Sequence, residues 1–257
     1  MIHFIIVSHG HEDYIRSLFD GLNKIESEDF RFYIKDNLGQ NSLKKFCFER
    51  NITYLTSKEI KGFAANNNEV VKVILSENFV KKDDYYIFLN PDVLLSDATI
   101  SKLVSIQKNI SYSLFTIDLY KDVDFKFRDP SIRRFPRLRD FFTSFFFNFN
   151  NSILDRTYIE APVKVDWFAG SFLAIKSEVF DSLGGFDEAY FMYCEDLDLC
   201  VRAHKFGHEA FYLPTVRAVH FTQHQNRKAF NRHLFWHVKS VVIFYIKHLK
   251  YLLRISR

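Results

Sequence analysis

At 257 residues, 47% of them hydrophobic and 26% charged, the chain suits one mixed domain with an appendage and is too apolar for general disorder. Its net charge of +4 fits an anionic small molecule or an anionic lipid surface and lacks the strongly basic balance of a nucleic-acid binder. Three cysteines, Cys47, Cys194 and Cys200, are too few for a disulfide framework, so buried thiols in a reducing cytoplasm are expected.

The chain opens on an apolar run over residues 2–7 that ends in Ser8-His9-Gly10, which predicts a buried strand. Tyr14, Ile15, Leu18, Phe19 and Leu22 then follow helical spacing. Residues 30–37 predict a second strand that stops on Asp36-Asn37. A second helix over 42–51 and a short strand over 52–57 come next. Gly62 leads a turn into a third helix, and residues 84–92 predict a strand ending on Asn90-Pro91-Asp92. This β-α-β-α-β-α-β order, with near-continuous apolar strands, predicts a parallel sheet covered on both faces. Ligands bind such sheets beyond the carboxyl ends of the strands. The four polar strand ends are more easily explained by a site than by four separate turns.

A helix over 98–109 and a strand over 111–120 follow. Residues 128–152 are irregular, basic and aromatic. Strand-then-helix patterning returns over 165–191. Residues 193–207 predict a helix with an acidic start and a glycine stop. Residues 209–214 and 217–224 read as two short extended segments. From Ala229 the chain is helical, basic and aromatic to its end. The 30 phenylalanines and 13 tyrosines suit a large core or contact with a membrane surface. Neither a signal peptide nor an apolar run long enough to span a bilayer is expected.

"VSHGHEDY" holds one glycine where a dinucleotide fingerprint needs three, and no Walker motif occurs. A nucleotide must then be held another way, with a metal neutralising its diphosphate. Asp92, stiffened by Pro91, can bind a hard divalent cation, and Asn90 can add a weak oxygen ligand or a hydrogen bond. Taken alone, Asn-Pro-Asp reads better as a capped turn. Glu195, Asp196 and Asp198 open a helix; Glu195 and Asp198 share a face, and Asp196 points elsewhere. One of them can serve as a general base, or all three complement the helix dipole. His220 is a further metal ligand if the site holds a metal, although a lone histidine is more often structural. His233 and His237 lie one helical turn apart, a metal-compatible spacing, but an interfacial role suits their basic aromatic helix better.

In order, "VSHG", "KDN", "GFAANNN", "FLNPDV", "WFAGSFLAI", "GGFDEAYFMYCEDLDLCVR" and "AVHFTQHQNR" cover the chain from Ile2 to about Arg232. The set closely resembles family 2 inverting glycosyltransferases, in particular bacterial rhamnosyltransferases that build O-antigen and related surface polysaccharides. The resemblance implies an α/β GT-A fold with a mainly parallel central sheet and flanking helices, and a nucleotide-sugar donor, dTDP-L-rhamnose. It implies that Val7, Ser8, His9 and Asp36 hold the base and ribose, and that Gly62, Phe63 and Asn67 lie against the nucleotide sugar. Asn90 and Asp92 fall on the family's metal-binding DxD, with asparagine at its first position. That leaves Asp92 as the main ligand of Mg²⁺ or Mn²⁺, and His220 maps to the later metal-associated histidine. Glu195 and Asp196 map to the catalytic pair, with Asp196 as base. Arg227 could stabilise the departing diphosphate. Trp167 offers a flat face to an acceptor sugar, and Gly170 lets the backbone approach closely. Arg133, Arg134 and Arg137 face a lipid-linked diphosphate or belong to a solvated loop.

The expected organisation is a catalytic domain over residues 1–228, with a nucleotide-binding half (1–95) and an acceptor-binding half (96–228), and a helical tail over 229–257. The basic, aromatic tail lies in a membrane interface, or packs on the domain or on a second subunit of a homo-oligomer. An undecaprenyl-linked acceptor favours the membrane, and with it a peripheral location on the inner face of the bacterial cytoplasmic membrane. The contrasting reading is a catalytically silent nucleotide-sugar-binding subunit of a membrane assembly. Such a subunit would be free to lose Glu195, Asp196, Asp92 and His220.

Overall fold

The computed structural model describes residues 1–24, 26–77, 80–136, 140, 152–222 and 232–255. The first half of the chain follows the predicted alternation. Strands β1 (Ile2–Ser8), β2 (Phe30–Asp36), β3 (Thr53–Thr56) and β4 (Tyr85–Leu89) pair in parallel in the order β3-β2-β1-β4. Helices α1 (Glu12–Asp20), α2 (Asn41–Glu49) and α3 (Phe63–Glu77) make the crossovers. The strands read as unbroken apolar runs because both faces of the sheet are covered. Ile2, Phe4 and Ile6 enter one core with Leu18, Phe19 and Phe46 of α1 and α2. Ile5 enters the opposite core with Val70, Val71 and Ile74 of α3. Phenylalanine fills both layers. Phe4 stacks on Phe32 with ring centroids 4.6 Å apart, and Phe88, Phe180 and Phe186 meet on the other side. The three cysteines are free and buried.

The second half is mixed in direction. Strand β10 (Phe172–Lys176) lies antiparallel between β4 and β6 (Leu114–Tyr120). Strand β11 (Ala210–His220) adds parallel to β6, and β5 (Val93–Leu94) and β8 (Val163–Val165) add antiparallel to β11. Thus β1, β2, β3, β4, β6 and β11 point one way, and β5, β8 and β10 the other. Strands β7 (Ile132–Arg133) and β9 (Trp167–Phe168) form a separate antiparallel pair. The two extended segments expected around Pro214 are one strand. β11 runs through the proline, and its register on β6 shifts between Leu213 and Arg217. Proline has no amide to donate, so it is tolerated where a bulge already breaks the ladder.

Helices α4 (Asp97–Asn109), α5 (Ser177–Ser182), α6 (Glu195–Lys205) and α7 (Arg232–Ile255) complete the described elements. Ser96 caps α4 by accepting the Thr99 N–H at 3.1 Å. One face of α7 packs on the domain: Phe244 and Leu252 join the core that contains α3. Ser240 Oγ donates to the Met192 carbonyl at 2.9 Å. His248 Nε2–H donates to the fully buried Asp198 at 2.7 Å, and Arg202 Nε donates to the same carboxylate at 2.6 Å. Among the described residues, no helix is long and apolar enough to cross a membrane.

Candidate active site

The carboxyl ends of β1, β2 and β4 lie side by side, since Ser8 is in register with Asp36 and Ile6 with Leu89. After β4, the backbone turns sharply at Asn90-Pro91-Asp92, and Val93 N–H donates to the Asn90 carbonyl at 3.1 Å. The two-residue strand β5 then pairs with the end of β11, which puts Val93 opposite His220. Phe221 N–H donates to the Asp92 carbonyl at 3.0 Å. These bonds hold the Asp92 and His220 side chains together, with Nε2 of His220 3.3 Å from Oδ1 of Asp92.

The other ring nitrogen of His220 lies 3.3 Å from Oδ2 of Asp129, a buried residue that sequence reasoning missed. The two carboxylates outweigh burial and raise the imidazole to about 9. Asp129 is held below the ordinary carboxylate range by its bond to His220, against the effect of its own burial. A carboxylate on the far nitrogen of a metal-ligating histidine fixes the ring and its tautomer. Asp92 and His220 thus fit a divalent cation as a two-ligand platform. Mg²⁺-type sites commonly take one or two protein ligands and complete their shell with phosphate oxygens and water. Among the described residues there is no ready cluster of three histidine, cysteine or acidic ligands.

The second cluster stands at the start of α6. Tyr193 (φ 72°) and Cys194 (φ 65°) take left-handed backbone conformations in succession. That is unusual for side chains other than glycine and asparagine, and such strain concentrates at functional sites. The double bend delivers Glu195 and Asp196 to a cavity of about 250 Å³, which Arg133, Trp167, Ala169, Tyr193 and His237 also line. Asp196 Oδ2 accepts the Gly170 N–H at 2.8 Å, and Oδ1 accepts the Leu197 N–H at 2.7 Å. Burial raises the Asp196 carboxyl, while these backbone donors and nearby Arg133 pull it down. Glu195 is pushed well above the ordinary range by burial and by the charge of Asp196. Its Oε2 is buried without a hydrogen-bond partner. Of the two, Glu195 is pushed further toward its neutral form, and Asp196, held by two backbone donors, is the better-placed carboxylate at the wall of the cavity.

Short backbone links join the two clusters. Asn90 N–H donates to the Ser171 carbonyl at 3.0 Å, and the neighbouring Gly170 N–H holds Asp196. The Arg133 guanidinium feels the charge of both Asp196 and Asp129. A cation platform and a raised carboxylate therefore flank the paired ends of β4 and β10.

The remaining candidates divide. Val7 is half-buried, Ser8 buried and His9 exposed at the end of β1. Ser8 Oγ accepts the His11 N–H at 3.2 Å, and His11 feels the charge of Asp92. Asp36 is fully buried and accepts the Leu38 and Gln40 amides and the Tyr54 hydroxyl, so its carboxylate shapes the turn after β2. Phe63 is half-buried beside Gly170. Asn67 is buried in α3 and donates to the Phe63 carbonyl. Trp167 lines the cavity, but it is 7% exposed and Arg133 stacks over its ring. It is a platform for the guanidinium rather than the open sugar-binding face expected. The Gly170 N–H holds Asp196, but a Cβ at Gly170 would meet only ordinary contacts, 3.5 Å from Phe63 and 3.7 Å from Asp196, so the backbone does not need glycine for this approach. Arg134 is exposed, and the cavity takes Arg133 instead. Arg137 and Arg227 lie outside the described residues. His237, which its spacing from His233 marked as metal-compatible or interfacial, instead lines the cavity, brought there by a helix from the far end of the chain.

Gly62 has a different constraint. A Cβ there would lie 2.2 Å from the Phe191 carbonyl oxygen, part of the loop that leads into Tyr193. Gly62→Ala is expected to destabilise the fold by about 1–3 kcal/mol through overpacking. For a chain of this size that lowers Tm by about 2–4 °C per kcal/mol. A Tm equal to that of the unchanged protein in a calorimetric scan would show that the loop is free to retreat.

The sequence matches the family described as "Glycosyltransferase like family 2" over residues 2–238. Rhamnosyltransferase WbbL of Escherichia coli (strain K12) is 36% identical over 240 residues, which cover 93% of this chain and 90% of that protein. The N-acetylglucosaminyl-diphospho-decaprenol L-rhamnosyltransferase of Mycobacterium tuberculosis is 41% identical over 80 residues, 31% of this chain and 26% of that one. Among solved structures, a mannosyltransferase from Pyrobaculum calidifontis in complex with GDP-Man and Mn²⁺ superposes with a TM-score of 0.58 at 16% identity, over 89% of this chain and 59% of its own length. The chain therefore spans about three-fifths of that solved relative, and the likeness is one of fold. The mixed, mostly parallel sheet with its flanking helices is the GT-A architecture. By sequence and by fold, the chain belongs to glycosyltransferase-like family 2.

Proposed function

We propose that this glycosyltransferase moves L-rhamnose from dTDP-L-rhamnose to a hydroxyl of a lipid-linked saccharide, with inversion, in the synthesis of O-antigen or a related surface polysaccharide. The observation that carries the chemistry is the carboxylate of Asp196, fixed by the Gly170 and Leu197 amides in a cavity beside the end of β4. The choice of rhamnose is supported by the names of the relatives from Escherichia coli and Mycobacterium tuberculosis, and that of a lipid-linked acceptor by the name of the second.

In this reading the donor's diphosphate lies over Asp92 and His220, and the acceptor hydroxyl enters the cavity beside Asp196. Asp196 takes the hydroxyl proton as the acceptor oxygen bonds to the anomeric carbon. The bond from that carbon to the diphosphate breaks on the opposite face, and the nucleoside diphosphate leaves. One in-line displacement inverts the centre. Asp92 and His220 are the residues that would hold a divalent cation, Mg²⁺ or Mn²⁺, as the Mn²⁺ complex of the mannosyltransferase suggests. Bound there, it supplies positive charge to the phosphate oxygens. Glu195, buried beside Asp196 and pushed toward its neutral form, lines the same cavity. Arg133 balances charge between the two clusters.

The test is a thermal-shift panel of nucleotide sugars with Mn²⁺, followed by transfer assays on a lipid-linked acceptor. A donor at 100 times its Kd stabilises the fold by about 2.7 kcal/mol. dTDP-L-rhamnose is expected to give the largest shift. A larger shift with another nucleotide sugar would overturn the donor assignment. Saturable donor binding without transfer to any acceptor would favour the silent subunit.

A further inference from the structure

Helix α7 has two apolar faces, and among the described residues one of them packs into the core. Phe244 and Leu252 face the core, and His237 reaches the cavity beside Asp196. On the opposite side, Phe235, Val238, Val242, Ile246, Leu249 and Leu253 are 43–80% exposed. Their successive gaps of three, four, four, three and four residues trace a single straight stripe along the helix. A stripe of this length is unusual on a surface that water covers.

Charge decides between the two kinds of occupant. Over residues 232–255 the helix carries Arg232, Lys239, Lys247, Lys250 and Arg254 and no acidic residue. Lys247 is paired with Asp187 of the domain. Lys239, Lys250 and Arg254 are exposed and, at 100° per residue, project along one flank of the stripe. The three-four spacing would also suit a second copy of the same helix, and an antiparallel pairing of two α7 stripes would set their cationic flanks on the same side. An apolar stripe flanked by cations is complementary to an anionic lipid surface, with the apolar residues at the acyl boundary and the ammonium groups at the headgroups.

We infer that the outer face of α7 is a docking surface for an anionic bilayer, and that the same helix forms one wall of the acceptor cavity. The first part stands on the stripe and its charge. The second rests on the acceptor reading of the cavity given above. A helix is about 10–12 Å across, so the bilayer surface would lie one helix thickness from His237. An acceptor anchored in that bilayer would then present its sugar beside Asp196 without leaving the membrane.

The experiment is cosedimentation of the full chain with vesicles of phosphatidylglycerol and phosphatidylcholine, compared with phosphatidylcholine alone. Binding to the anionic vesicles is expected, weakening as salt screens the cations. Ile246→Glu combined with Leu249→Glu should weaken it by about 100-fold or more, because two large apolar side chains leave the acyl boundary. Both positions are exposed, so thermal shifts with nucleotide sugars should persist in this variant. Should it fail to fold by circular dichroism, Lys239→Glu combined with Lys250→Glu serves instead, with binding lost on anionic vesicles. Two results would overturn the inference: no cosedimentation of the unchanged protein with anionic vesicles, or a dimer in light scattering that the stripe variant dissolves. Vesicle binding needs no sugar transfer, so failure here leaves the proposed reaction standing, and an inactive protein that still docks would sink only that reaction.

Discussion

Asp196→Asn is expected to lower sugar transfer by about 10²–10⁴-fold, the usual worth of a positioned general base, while donor binding and Tm stay near those of the unchanged protein. The amide keeps the size of the carboxylate and one acceptor for the Gly170 or Leu197 N–H, so the loss should fall on the chemical step. Glu195→Gln is the contrasting variant. Its carboxyl is pushed toward the neutral form by burial and by the charge of Asp196, and glutamine is a neutral side chain of the same shape. It should cost far less. The pair thus separates the base from its neighbour, which two adjacent acids in a sequence cannot do. The pH profile gives a second readout. Burial raises the Asp196 carboxyl, so the acidic limb of the transfer rate should lie above the ordinary carboxylate range. Normal transfer by Asp196→Asn, or equal losses in both variants, would remove Asp196 as the base.

The division of labour between Glu195 and Asp196 also shows what the sequence could carry. Helical spacing placed Glu195 and Asp198 on one face and Asp196 on another. The fold divides them differently: Glu195 and Asp196 both line the cavity, with Asp196 held by Gly170, and Asp198 turns inward to His248 and Arg202. The bend at Tyr193 and Cys194 that aims the pair at the cavity had no local signature, since left-handed backbone is signalled by glycine or asparagine and neither residue is one. Strands β1 to β4 were legible because buried parallel strands are continuous apolar runs. The insertion of β10 between β4 and β6 was not, because strand order is set by long-range pairing. β5 is two residues long and exists only because β11 pairs with it. That pairing places His220 beside Asp92, and Asp129 completes the set from a segment whose composition reads as solvated loop. The tail was legible as a basic, apolar helix. Its inner face, with His237 at the cavity, required the packing of α7 on the domain.

The largest effect expected away from the base concerns the Asp92–His220 platform. A divalent cation can bind His220 only by displacing its proton, and the two flanking carboxylates hold that proton up to about pH 9. Mn²⁺ affinity should therefore rise as pH increases toward 9, by up to about tenfold per unit, with release of about one proton per ion over much of that range. Calorimetric titrations in buffers of different ionisation enthalpy measure both quantities. The metal-free protein should show the opposite trend in stability. The imidazolium between Asp92 and Asp129 favours the folded state, because its folded value of about 9 lies above the ordinary 6.5. That contribution is complete below pH 6.5 and is lost as pH rises through 9. EDTA-treated protein should thus lose stability across this window, and Mn²⁺ should restore it. Asp129→Asn removes the partner that orients the ring and is expected to weaken Mn²⁺ binding by about 10–100-fold. It also lowers the histidine, so the rise in affinity moves to lower pH. His220→Ala should abolish both trends and leave Asp92 as the single protein ligand. A Mn²⁺ affinity that is flat between pH 6.5 and 9, or unchanged in His220→Ala, would show that the ion binds elsewhere and that the Asp92–His220–Asp129 arrangement is structural.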